Sequence, residues 1–114
     1  MAEGHLTPAM FYILLSLVDR DRHGLGIVHD VEERTGGRIK IGPALLYTSL
    51  RRLEERALAE ISPTRPAQRE DDPRRKYYRI TRRGRRAARE EAELLDTVLA
   101  IARDRNVLPK ESGR

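Results

Sequence analysis

Residues 42–62 read GPALLYTSLRRLEERALAEIS, and the rest of the chain arranges itself around this stretch. Pro43 suits the first position of a helix, where its missing N–H costs nothing. Leu46, Leu50, Leu53 and Ala57 then recur at intervals of three and four, which predicts a helix with one apolar face for a core. The other face carries Tyr47, Thr48, Ser49, Arg51 and Arg52. Short hydroxyls and guanidiniums together suit the base edges of a DNA groove and its flanking phosphates.

Upstream, Thr7 and Pro8 form an N-cap and first-position pair ahead of AMFYILLSLVDRD. Phe11, Leu14, Leu15 and Val18 make a helical stripe, widened by Tyr12, Ile13 and Leu17, so this first helix serves a core and has apolar surface to spare for a dimer seam. His23 and Gly24 mark a turn. LGIVHDVEERTGG follows as a second helix that buries Leu25, Ile27, Val28 and Val31, turns Asp30, Glu32 and Glu33 outward, and stops at Gly36 and Gly37. Arg38 to Ile41 alternates polar and apolar and is expected to form one edge of a small sheet.

Downstream, Leu58 to Ile61 and Lys76 to Ile80 read as two strands, with Tyr78 and Ile80 on one side and Tyr77 and Arg79 on the other. Between them, SPTRPAQREDDPRR has three prolines and no periodicity, the composition of a hairpin with an extended tip. Arg74, Arg75 and Lys76 at its base are positioned to hold phosphates. Thr81 then caps a last helix, where Ala87, Leu94, Val98 and Ile101 mark one seam and Ala88, Leu95, Leu99 and Ala102 its neighbour. This apolar face is wider than one small domain requires, and a dimer is the expected outlet.

Charge and length bound the partners. The chain has 114 residues, a formal net charge of +5 and a pI near 10.1. Eleven basic residues against three acidic ones fall between Arg65 and Arg89, so the positive charge is concentrated where a polyanion would be met. Arg82, Arg83, Arg85, Arg86 and Arg89 crowd the first turns of the last helix, against its dipole, and an external polyanion would compensate. With no cysteine, disulfides and thiolate metal sites are excluded. No apolar run approaches the roughly 20 residues that span a bilayer, and no signal-like segment opens the chain, so a cytoplasmic protein without a membrane partner is expected. Catalysis, metal and cofactor find no support: His5, His23 and His29 lack ligand spacing, and HGLG has neither the strand nor the lysine of a phosphate loop.

Three separated segments, LTPAMFYILLSL, HGLGIVHDVEERTGGRIKIGPALLYTSLRRLEERALAEI and RRKYYRITRRGRRAAREE, resemble the PadR family of bacterial transcriptional regulators in the order that family shows, over roughly residues 6 to 105. The family's leucine-tyrosine pair falls on Leu46 and Tyr47, its RLE on Arg52, Leu53 and Glu54, and its arginine-tyrosine run on Arg75, Lys76, Tyr77 and Tyr78. Ala44 and Leu45 stand where members commonly have glycine and threonine, and Ala57 where they usually have glycine in the turn. The resemblance implies a mostly α fold with a small β-hairpin: a winged helix-turn-helix over 6–80 followed by a dimerisation helix over 81–106, as in the short members with one C-terminal helix. It also implies a homodimeric repressor on a pseudo-palindromic double-stranded DNA operator, relieved by a small hydrophobic effector. The DNA contacts would be Tyr47, Thr48, Ser49, Arg51, Arg52, Arg74, Arg75 and Lys76, and the dimer contacts Phe11, Tyr12, Leu94, Leu95, Val98, Leu99 and Ala102. A closed apolar seam without an effector competes with the last point. Two other readings compete with the whole: a regulator of another winged-helix family, and a winged helix that binds only protein.

Overall fold

A computed structural model describes residues 5–63 and 74–110. Its elements run α1 (Pro8–Ser16), β1 (Arg22–His23), α2 (Gly24–Arg34), α3 (Pro43–Glu55), β2 (Ala59–Ile61), β3 (Tyr77–Ile80) and α4 (Arg82–Asp104). The strands form one antiparallel sheet in the order β1-β3-β2. Mostly α with a small sheet is therefore the observed fold, and the prolines and threonines sit where capping chemistry asks for them. Thr7 accepts the Met10 N–H at 3.2 Å and Thr81 the Gly84 N–H at 2.9 Å, each ahead of a helix.

The third strand is not where the sequence suggested. Segment 38–41 pairs with nothing in the sheet; Ile41 drops into the core, and the Ile39 N–H is taken by the Thr35 hydroxyl at 3.1 Å. The edge is instead Arg22–His23, set against Tyr78 and Tyr77. Two residues are too few to show a period of two, and His23 is at once the strand's end and the N-cap of α2, its Nδ1 accepting the Gly26 N–H at 3.2 Å. Helix α1 also stops earlier than expected. The Ser16 hydroxyl donates to the Ile13 carbonyl at 2.7 Å, Arg22 Nε donates to the freed Ser16 carbonyl at 2.7 Å, and Arg85 of α4 donates to the Val18 carbonyl at 2.9 Å. One guanidinium thus satisfies a carbonyl that the helix end leaves open, and the other a carbonyl just beyond the cap.

The core is built by α1, which places Ile13 and Leu14 at 0% exposure, with Ile27, Leu50, Leu53 and Leu58 packed round it. In α2, Ile27 and Val31 are buried as expected, but Leu25 is 53% exposed. Asp30, expected outside, is half-buried between Arg22 at 3.4 Å and Arg34 at 3.6 Å. Tyr77 is buried beside Tyr78 although it shares a side with exposed Arg79, because the His23 ring packs edge-on against it at 5.2 Å. Glycines 36 and 37 both take positive φ, 63° and 81°, and turn the chain out of α2.

Ala57 lies outside α3, exposed and with φ 57°. Its N–H bonds to the Glu54 carbonyl at 3.0 Å and that of Leu58 to the Leu53 carbonyl at 2.8 Å, the paired bonds of a Schellman cap with buried Leu58 as its apolar plug. Ala57 is therefore not a core residue of α3, as its spacing suggested, but a non-glycine in a left-handed position. Immediately beyond, α4 presses on this cap. A Cβ on Gly84 would overlap the Leu58 carbonyl oxygen and meet Ile80 Cγ1 at 2.8 Å. Ala87 and Ala88 continue the close approach, and beyond them α4 leaves the body with Leu94, Leu95, Val98, Leu99 and Ile101 all 39–55% exposed.

Candidate nucleic-acid interface

Helix α3 buries Leu46, Ser49, Leu50 and Leu53 and exposes Tyr47, Thr48, Arg51 and Arg52. Ser49, 3% exposed, sits within the apolar arc and so leaves the set of candidate DNA contacts. The sequence spacing missed this because Ser49 lies at the edge of the inward arc, beside Leu53, where a 3.6-residue period carries a small hydroxyl inside as readily as a methyl. The remaining outward face holds no ion pair at Arg51 or Arg52 among the described residues, so both guanidiniums face solvent.

The base of the hairpin meets this helix. His23, Gly24 and Leu25 from the start of α2, Tyr47 from α3, and Arg74, Arg75, Lys76 and Tyr78 surround a recess of about 420 Å³. Arg75 Nη1 stands 3.3 Å from His23 Nε2, which joins the foot of the wing to the start of α2. Three cations, a tyrosine hydroxyl and the amide end of a helix converge here, a set of groups that stabilises phosphate oxygens. Burial, then the Glu54 carboxylate and the Tyr47 phenol, push the Tyr78 phenol above its usual range, so it stays neutral where the recess would meet an anion. The recess was only half legible in advance: Arg74, Arg75, Lys76 and Tyr47 were expected, whereas His23 and Gly24 read only as a turn. The tip of the hairpin, residues 64–73, lies outside the described residues.

The first turns of α4 do not share this surface. They begin at the far end of β3 from Arg74–Lys76, and part of their charge is used internally: Arg85 on the Val18 carbonyl at 2.9 Å, and Arg89 with Glu93 at 3.7 Å. The expected external polyanion is therefore not needed to account for Arg85 or Arg89. Of the expected dimer contacts, Phe11 is 8% exposed inside its own core, with its ring 6.3 Å from that of Tyr12, so it has no face to offer a second chain. Tyr12 is half-buried, and it lines a groove of about 440 Å³ between α1 and α2 with Leu15, Val18, Asp19, Val31 and Arg34. Leu94, Leu95, Val98 and Leu99 are bare, and Ala102 is half-buried. Among the described residues no three metal-ligating side chains converge, and no helix is long and apolar enough to cross a membrane.

A match to the transcriptional regulator PadR-like family covers residues 13–90, from within α1 through the wing and into α4. The chain belongs to that family. It is a transcriptional regulator and not an enzyme. An uncharacterised protein of Lysinibacillus sphaericus is 33% identical over 82 residues, 72% of this chain and 70% of the relative. Among solved structures, a transcriptional regulator from Clostridium thermocellum superposes with a TM-score of 0.72 at 24% identity, covering 90% of each chain. A PadR family regulator from Clostridium difficile gives a TM-score of 0.73 at 20% identity, covering 86% of this chain and 97% of that one. At these identities the two structures speak for the fold: a PadR-type winged helix with one helix beyond the wing. The regulators of this family bind DNA.

Proposed function

We propose that this PadR-family chain is a homodimeric, cytoplasmic repressor that reads a pseudo-palindromic operator with α3 and clamps flanking phosphates with the foot of its wing. The observation that carries this reading is the continuity of the outer face of α3, with Thr48, Arg51 and Arg52 exposed, and the recess of Tyr47, Arg74, Arg75 and Lys76. A helix can lie in a major groove while cations at its side grip the adjacent backbone. Two such helices related by a two-fold axis would meet half-sites about one helical turn, ~34 Å, apart.

In this reading residues 6–80 are the reading head and 81–106 the dimerisation helix. The support is the bare stripe on α4, since contiguous exposed apolar surface of this kind marks an interaction site. Parallel pairing of two such helices would set Arg82, Arg83, Arg85, Arg86 and Arg89 of both copies side by side, so the pair runs antiparallel. The four residues Leu94, Leu95, Val98 and Leu99 are centred between Asp96 and Thr97. A small apolar effector entering the groove of Tyr12, Leu15 and Val18 would change the angle between reading heads, which is how operator affinity would be lowered.

The test is selection of bound fragments from a genomic DNA library by the purified protein, followed by affinity measurements at two salt concentrations. Enrichment of a two-fold symmetric site is expected, with a steep loss of affinity as salt rises. The double variant Arg51→Ala, Arg52→Ala should lose at least about 1,000-fold in affinity for that site, from four contacts across the two copies at about 1 kcal/mol or more each, while keeping its fold. Weak binding without sequence preference in both proteins would sink operator recognition and favour a winged helix that binds only protein.

A further inference from the structure

The recess beside α3 depends on a residue that has no side chain. Gly24 is the first residue of α2 and is buried, and the Tyr47 ring lies directly over it. A Cβ built at Gly24 would stand 2.8 Å from Tyr47 Oη, 3.4 Å from Tyr47 Cζ and 3.2 Å from Leu46 Cδ2. Real carbon atoms do not approach an oxygen that closely, so the ring rests where it does only because position 24 is bare. We infer that Gly24 is a positioning residue for DNA binding: it seats the Tyr47 phenol against the start of α2, so that the hydroxyl points into the recess formed with Arg74, Arg75 and Lys76.

The argument turns on what would yield. Gly24 does not need glycine for its backbone, since only Gly36 and Gly37 among the described glycines take positive φ. Alanine is therefore tolerated by the chain itself, and in a helix it is the better residue. Of the atoms it would strike, the nearest is the tip of a side chain that is 53% exposed, and such a ring can swing toward solvent, while the buried Leu46 Cδ2 at 3.2 Å has only to give by a few tenths of an ångström. The substitution thus separates two things that most mutations confound. The fold stands, and the hydroxyl leaves the recess. Gly26, two residues on, provides the contrast: a Cβ there meets Arg22 Cβ at 3.6 Å and His23 ring atoms at 3.8 Å, ordinary contacts.

The inference rests on the proposal that Tyr47 faces DNA phosphate, and its test keeps the two apart. Affinity for the selected operator is measured for the wild type, Gly24→Ala, Tyr47→Ala, the double variant and Gly26→Ala, with thermal melts of each. Gly24→Ala should weaken binding about 100-fold, about 10-fold for one hydrogen bond to a charged acceptor in each copy, with a melting temperature close to that of the wild type. Added to Tyr47→Ala it should cost nothing further, because the two act through one ring. Gly26→Ala should bind as the wild type does. Full affinity in Gly24→Ala, or an equal loss with and without the Tyr47 ring, overturns the inference, whereas unchanged affinity in Tyr47→Ala overturns the phosphate role instead. The seat itself is checked without DNA by the ring resonances of Tyr47, which should shift in Gly24→Ala and hold in Gly26→Ala; a ring that does not move would end the claim.

Discussion

Helices α3 and α4 are both amphipathic, and they differ in what they leave outside. Helix α3 buries Leu46, Leu50 and Leu53 at 0–3% exposure and gives water a face of hydroxyls and guanidiniums, with Leu45 the one leucine left outside. Helix α4 does the reverse. Its buried residues are Gly84, Ala87 and Ala88 in the first two turns, and its large apolar side chains follow, all outside the body. The hydrophobic effect acts on both in the same way. An exposed polar face is content in water and can wait for DNA, whereas a row of bare leucines and valines calls for a second protein surface. The first turns of α4 therefore belong to this chain's own fold, and the rest of the helix is the surface on which the proposed dimer would be built.

The strongest way to break that contrast is to make the second half of α4 polar. Leu95→Asp with Leu99→Asp should cost the dimer about 4 kcal/mol, from four side chains, two in each copy, at roughly 1 kcal/mol each, and shift the dissociation constant about 1,000-fold. Sedimentation would read a monomer, and because both residues are exposed in the single chain, its circular dichroism should be unaltered. A variant that also unfolds would mean that these residues support the chain's own core, and the contrast between the helices would fall.

The converse substitution attacks the first half. In Gly84→Ala the new methyl would collide with the Leu58 backbone, which cannot swing aside as a side-chain tip can. A cost of about 3 kcal/mol is expected for such overpacking, or a melting temperature lower by more than about 10 °C in a domain of this size. Together the two variants separate fold from assembly within one helix. Thermal melts of both, run at matched concentration, would show it: the Gly84→Ala loss should be independent of concentration once the dimer is dissociated.

Most of this architecture was legible in the residues, and the failures have local causes. Spacing alone placed α3 and α4, because leucine and alanine recur there at helical intervals with charged residues between them. Caps at Thr7 and Thr81 were equally plain. The β1 edge was hidden because two residues, one also a helix cap, carry no pattern of their own; they are a strand only because Tyr77 and Tyr78 lie beside them. Ser49 and Asp30 misled for a related reason. A polar residue between buried neighbours reads as exposed unless its partner is known, and the partners of Asp30 are Arg22, eight residues away, and Arg34. The seat of Tyr47 was illegible in principle, since a glycine's purpose there lies in a ring that approaches from another helix.

A smaller effect sharpens the turn between α3 and β2, on which the start of α4 rests. Ala57 holds φ 57° where a left-handed conformation costs an L-residue roughly 1 kcal/mol. Ala57→Gly should relieve that strain, partly offset by the greater freedom of glycine in the unfolded chain, and raise stability by a few tenths to about 1 kcal/mol. Chemical denaturation would show a higher midpoint at unchanged slope. A decrease would mean that the cap is not strained and that its contact with Thr81, whose hydroxyl donates to the Ala57 carbonyl at 2.7 Å, leaves nothing to gain.

Alkaline pH should distinguish the two helices' surroundings with the smallest change of all. Burial, followed by the Glu54 carboxylate and the Tyr47 phenol, pushes the pKa of Tyr78 up on the α3 side of the molecule, whereas the exposed stretch of α4 contains no tyrosine. A raised value in the folded chain means that the neutral phenol is favoured by folding. That contribution is fully present below the ordinary tyrosine value of about 10 and is lost as pH climbs from there through the raised one. Wild-type stability should therefore fall more steeply above pH ~10 than that of Tyr78→Phe, with the two curves parallel at neutral pH. The exposed stretch of α4, free of any tyrosine, should not respond through this group, so dissociation of the proposed dimer measured alongside ought to lag behind the loosening of the reading head. Curves that stay parallel through that range would place the alkaline weakness elsewhere and remove Tyr78 from the account of the recess.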